Sequence, residues 1–256
     1  MAQKTPDAIA CSAAHRSLSY DALQTASARF ASHLLQSGLR QAQPVAIWAD
    51  RTPEMILAVL GVMRAGGCVV PIDPRHPRAR IDAILRDAEP LALFAADPAA
   101  ASAAGVDPAW IRPIRPDDLP DVDADLPLPA PEDASYILYT SGTTGVPKGV
   151  VQTHAMLDNL IGWQLSQPGT PKRVLQFASL AFDVAFQEIF SAICGGATLV
   201  LMPVEAQRDV ANLGQFLQDH RIERAFLPAA VLHVLQAPGR RQIHLLAARS
   251  SRRARR

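Results

Sequence analysis

The 256-residue sequence lacks the marks of several protein classes. Its three cysteines, Cys11, Cys68 and Cys194, are widely spaced and odd in number, which fits neither a disulfide framework nor a thiolate metal cluster. They read as small buried hydrophobes. No uninterrupted apolar run approaches the roughly 18 residues that a membrane-spanning helix needs. The opening MAQKTPDAIA has no apolar core of the kind a secretory signal requires, so the expected location is the cytoplasm. His15, His33, His76, His154, His220, His233 and His244 show no ligand spacing and no cysteine partners, so no metal site is expected. No serine sits in a G-x-S-x-G elbow, which leaves a Ser–His–Asp triad unsupported. A surplus of one charge is also missing. Against 24 Asp plus Glu stand 25 Lys plus Arg, a net +1 and too little for a broad cationic nucleic-acid surface.

That neutrality is unevenly made. Between positions 240 and 256 lie seven arginines and no acid, and setting them aside leaves 18 basic against 24 acidic residues, or −6, over residues 1–239. Hydrophobic residues at 49% and charged residues at 19% mark a folded domain rather than a disordered chain. The length suits one large domain or two small ones.

Helical and strand-like patterns alternate from the start, the signature of an α/β protein with parallel sheets covered by helices on both faces. Tyr20 to Gln36 carries a helical apolar stripe, with Ser19 placed to cap it and Gly38 to stop it. Thr52-Pro53-Glu54 opens a second helix that ends at Gly66-Gly67, and Cys68 to Ile72 reads as a buried strand with Pro71 at its end. Between Ala96 and Glu132 the composition shifts to Ala, Asp and Pro, so a surface linker is expected at about 97–134. Strands and helices then resume to about Gln236. Residues 240–256 are expected to be a disordered tail.

The most informative segment follows the strand Ser135–Tyr139. Thr140, Ser141, Thr143 and Thr144 are interleaved with Gly142 and Gly145, and Lys148 follows. Glycines let backbone N–H groups approach an anion closely, hydroxyls add donors for phosphate oxygens, and lysine supplies a mobile cation. This is the equipment of a triphosphate cradle. It is not the Walker loop, which would need glycine where Pro147 stands. Ser, Thr and Gly also fill ordinary turns, but four hydroxyls, three glycines (Gly149 is the third) and a lysine exceed a turn's needs.

The run YTSGTTGVPKGV with His154 after it resembles the phosphate-loop signature of the adenylate-forming ligases. Arg16–Leu23, Met63–Asp73, Phe177–Phe190 and Gly195–Leu199 are similar to further motifs of one branch, the adenylation domains of nonribosomal peptide synthetases. The likeness covers about Thr5 to Leu235, the N-terminal part of that family's large domain. It implies ATP with Mg2+ as cofactors, an amino acid as substrate, and a partner carrier protein whose phosphopantetheine thiol takes the acyl group. No nucleic-acid or membrane partner is implied. By resemblance, Thr140 to Gly145 and Lys148 would hold the nucleotide phosphates, and Asp183 would bind the substrate's α-ammonium group. An aspartate between Phe182 and Val184 is costly to bury without a cation, although a helix N-cap is the plainer role. Val184, Gln187 and Phe226 match further pocket positions, and the set looks like pockets associated with proline. Val184 and Phe226 serve equally as core. No catalytic residue is assigned.

After Leu235 the likeness stops. A segment resembling Tyr-Gly-Pro-Thr-Glu is missing, as is the small C-terminal domain with its lysine, so the fragment is expected to be inactive or impaired. Arg and Ala crowd APGRRQIHLLAARSSRRARR as they would in a GC-rich gene read out of frame, which points to a frameshift or truncation. Two other readings stand: an acyl- or aryl-CoA ligase fragment, and a non-catalytic interaction protein with a basic tail.

Overall fold

Both helix starts that the sequence marks with a hydroxyl are capped by it in the computed structural model, which describes residues 3–14, 16–48, 50–115, 118–119, 126–141, 147–207, 210–235 and 244–248. Ser19 Oγ accepts the Ala22 N–H at 3.1 Å. Thr52 Oγ1 accepts that of Met55 at 3.3 Å, with Pro53 opening the helix behind it.

Along the chain, β1 (Ile9–Ser12) and β2 (Ser17–Ser19) lead into α1 (Tyr20–Gln36), β3 (Pro44–Trp48), α2 (Pro53–Arg64), β4 (Cys68–Ile72), α3 (Arg78–Ala88), β5 (Leu93–Ala95), α4 (Pro98–Ala103) and β6 (Ile111–Pro113). Then come β7 (Ala134–Ser141), β8 (Pro147–Thr153), α5 (His154–Ser166), β9 (Arg173–Gln176) and α6 (Asp183–Gly195). The remainder is β10 (Thr198–Leu201), a 3-10 turn at Val204–Gln207, α7 (Val210–Asp219), β11 (Arg224–Pro228), α8 (Ala229–Leu235) and β12 (His244–Ala248).

The strands form two six-stranded sheets, ordered β6-β5-β3-β4-β7-β8 and β12-β11-β9-β10-β1-β2. Each is parallel except for one antiparallel pair, β7–β8 in the first and β1–β2 in the second. Alternation along the strands explains why both faces are covered. In β3, Val45 and Ile47 join the apolar layer containing α1 and α2, while Ala46 and Trp48 join Ile81, Ile84 and Leu85 of α3. In β9, Val174 faces α6, while Leu175 packs with Leu213 and Leu217 of α7. The layer of α1, α2 and α6 is common to both sheets, so one core ties them together. Phe30 meets Phe94 edge-on at 4.9 Å there, and Tyr136 of β7 stacks on Phe186 of α6 at 3.8 Å.

Several expectations are corrected. The segment 97–134 is not only linker. Asp97 Oδ1 caps α4 through the Ala100 N–H at 3.0 Å, with Pro98 in its first turn, and β6 pairs with β5. The cap–proline signal outweighs the loop-like composition. Strands β1 and β2 were not expected at all, because four and three residues are too short to show a period. Pro71 is the penultimate residue of β4, paired with Ile47, and the recorded β4–β7 pairing lies earlier, at Val69 and Tyr136. A residue without an N–H fits where that ladder is not continued. Residues 244–248, expected to be disordered, form β12 parallel to β11.

Candidate phosphate and substrate site

The β7–β8 hairpin brings the two ends of the Gly-rich segment together. Thr140 pairs with Lys148 and Ser141 with Pro147, and Thr140 Oγ1 donates to the Lys148 carbonyl at 3.5 Å. Thr140, Ser141 and Lys148 are exposed at the open end of the hairpin. Gly142, Thr143, Thr144 and Gly145 lie outside the described residues. Thr140 and Lys148, paired across the hairpin, share one face of it, with Ser141 exposed beside them, and these hydroxyls and the ammonium group are donors suited to phosphate oxygens.

Asp183 is the first residue of α6, after Phe182 at the N-cap. Of the exposed N-cap role that the sequence offered, the exposure holds, whereas the cap position falls to Phe182. Asp183 Oδ1 accepts the Val184 N–H at 2.8 Å. A first-turn carboxylate is favoured by the helix dipole and stays hydrated, so it needs no cation of its own. Its charge is felt inside. Burial first, and the Asp183 carboxylate second, push the Tyr136 phenol up to about 12. Val184 is half-buried, and Gln187 donates to Gln164 Oε1 at 2.9 Å across the α5–α6 contact. Asp183 and Gln187 stand four residues apart and so share a side of α6. Phe226 is buried in β11. His154 begins α5 and is half-buried, and burial depresses its imidazole.

The sequence reading missed a polar junction beneath this site. Arg51 follows β3, Asp73 follows β4, and Phe177 to Ser179 follow β9, so all three strands end in it. Arg51 donates to the Phe177 carbonyl at 2.5 Å. Ser179 Oγ donates to Asp73 Oδ2 at 2.6 Å, and Arg75 grips the same carboxylate at 2.9 and 2.7 Å. From α6, Glu188 Oε2 accepts the N–H groups of Phe177 at 3.0 Å and Ala178 at 3.1 Å. Burial would raise the Asp73 carboxyl, but the bonds from Arg75 and Ser179 outweigh it and hold it well below the usual range. Glu188 behaves oppositely. It is fully buried, and burial pushes its carboxyl up to about 8 despite its N–H partners and Arg51. The available signals were charges directly after buried strands and a glutamate inside the apolar run AFQEIF.

A family model described as AMP-binding enzyme matches residues 1–254. The chain belongs to the AMP-binding enzyme family. Among its relatives, bacitracin synthase 3 of Bacillus licheniformis is 35% identical, over 98% of this chain and 4% of that protein. Phosphinothricin tripeptide synthetase PhsC of Streptomyces viridochromogenes is 36% identical, over 94% of this chain and 23% of that protein. The chain thus spans a small part of the curated relatives it matches. Of solved structures, the AMPPNP-bound nonribosomal peptide synthetase FmoA3 superposes with a TM-score of 0.83 at 27% identity, covering 91% of this chain and 25% of that one. The Klebsiella oxytoca NpsA N-terminal subdomain with 3-hydroxyanthranilyl-AMSN gives 0.78 at 25% identity, covering 91% and 59%. AMP-binding family members of the peptide-synthetase type therefore share both the sequence and the two-sheet fold of this chain.

Proposed function

We propose that the chain is part of an adenylation unit that activates an amino acid with ATP in nonribosomal peptide synthesis. One observation carries the reading: Thr140, Ser141 and Lys148 are exposed together at the loop end of the β7–β8 hairpin in a chain of this family. In the first half-reaction a substrate carboxylate oxygen attacks the α-phosphorus of ATP. An acyl–phosphate bond forms and the bond to the β-phosphate breaks, releasing pyrophosphate. In the second, a carrier-protein phosphopantetheine thiol attacks the acyl carbon, AMP leaves, and the thiol proton passes to solvent.

The work of this chain is positioning and charge neutralisation. Thr140, Ser141 and Lys148, with the Gly142–Gly145 segment between them, would hold the departing phosphates. The exposed Asp183 carboxylate would pair with the α-ammonium group, and Val184, Gln187 and Phe226 would border the side chain, with proline the favoured candidate. Among the described residues, no group of three His, Cys, Asp or Glu could hold a metal ion, so Mg2+ is assigned no ligand here.

A second reading, an aryl acid as substrate, draws on the aryl-type analogue named with the NpsA subdomain. Calorimetric binding of non-hydrolysable acyl-adenylate analogues separates the two without requiring turnover. Aminoacyl analogues, prolyl foremost, are expected to bind at least about tenfold tighter than aryl or desamino ones. Equal affinities would contradict the amino-acid assignment.

A further inference from the structure

We infer that α3 clamps the phosphate loop at two points, with Arg80 and Asp87 as positioning residues that set Thr140, Ser141 and Lys148 for the outer phosphates of the nucleotide. The inference rests on the phosphate-loop reading above. Arg80 and Asp87 lie seven residues, about two turns, apart on α3 and so share one side of it. Both engage a single residue of β7. Arg80 Nη2 donates to the Tyr139 carbonyl at 2.7 Å. The Tyr139 hydroxyl donates to Asp87 Oδ2, also at 2.7 Å. Tyr139 is thereby held at its backbone and at the far tip of its side chain.

Its ring lies over β8. A Cβ at Gly149 would come within 3.2 Å of the ring and 2.9 Å of Ile137 Cγ2, so this approach of strand and ring needs glycine. The pinned carbonyl is one residue before Thr140, whose partner across the hairpin is Lys148. Moving Tyr139 therefore moves both stems of the loop together. The clamp has a firm base, because Ile81, Ile84 and Leu85 hold α3 in the apolar layer on that face of the sheet. Burial first, then the bond to Asp87, push the Tyr139 phenol above its ordinary value, so it remains a donor at neutral pH.

The test titrates Mg-ATP and AMP calorimetrically into the 256-residue chain and into Tyr139→Phe, Asp87→Ala, Arg80→Ala and Lys148→Ala. Tyr139→Phe and Asp87→Ala are each expected to weaken Mg-ATP about five- to tenfold and leave AMP unchanged. Their double variant is expected to be no weaker than either alone, because both break one hydrogen bond. Asp87→Ala also separates positioning from charge, since removing an acid would by charge alone tighten ATP. In the ligand-free protein, the same variants are expected to speed amide exchange over residues 140–148, whereas Lys148→Ala is not. Should Arg80→Ala fail to fold, Tyr139→Phe, which removes one oxygen atom, keeps the test intact. If the wild-type chain binds no ATP, or Lys148→Ala leaves the ATP-over-AMP preference intact, the phosphate-loop reading fails and the clamp with it. If Lys148→Ala loses ATP while Tyr139→Phe and Asp87→Ala bind like wild type, the clamp alone is overturned. Equal losses of ATP and AMP would overturn it too, as general destabilisation.

Discussion

A single methyl group at position 61 tests how closely α1 and α2 are packed. A Cβ there would stand 2.6 Å from Phe30 Cδ1, and Phe30 is fully buried against Phe94, with no free side to move into. Gly61→Ala gains up to about 1 kcal/mol in helix propensity. Overpacking costs about 1–3 kcal/mol, so the clash wins. The denaturant midpoint is expected to fall by a net of about 1–2 kcal/mol in stability, and a rise would show that the helices separate freely. Asp183 raises a different question at the same scale. Its exposure at the start of α6 leaves a carboxylate already hydrated and pre-oriented, which can exchange water for an ammonium group at little cost.

Among the elements, α6 runs from the proposed substrate contact into the core, because Asp183 opens it and the buried Glu188 lies five residues further on. Glu188 gives it a pH signature. Its carboxyl is raised from an ordinary 4.5 to about 8 by burial, so the folded state keeps a proton that the unfolded chain has lost. The stabilisation is fully present below about 4.5 and is lost as pH rises through about 8. Thermal midpoints of the wild-type chain are expected to fall between about pH 4.5 and 8, and those of Glu188→Gln to fall less. Parallel pH profiles would remove Glu188 from the account. In the sequence such a group shows only as a glutamate inside the apolar run AFQEIF. Helices α1 and α2 were legible there, because Ser19, Thr52-Pro53 and Gly66 mark their ends by local chemistry. The proposed phosphate loop stands out in the sequence for the same reason, with its donors crowded into nine residues from Thr140 to Lys148. The junction of Arg51, Asp73, Ser179 and Glu188 is assembled only by tertiary contact between three strand ends and a helix. Strands as short as β1, β2 and β6 draw their stability from their neighbours in the sheet, so no period within them announces them.

Across the whole molecule, the two sheets meet at the ends of β3, β4 and β9, where the Arg51–Phe177 and Ser179–Asp73 hydrogen bonds cross from one sheet to the other. Parallel α/β sheets place ligands at the carboxyl ends of their strands, and the turn leading to Asp183 is held by this crossing. The near-neutral charge of the chain thus says less about its partners than the place where its few buried charges meet. We propose above all that Asp183 reads the amino group of the substrate. The most direct test compares an aminoacyl-adenylate analogue with its desamino counterpart on wild type and on Asp183→Ala. The account predicts a preference of about tenfold or more for the amino compound in wild type that disappears in Asp183→Ala, with affinity for the desamino compound unchanged. A preference that survives the substitution would contradict it.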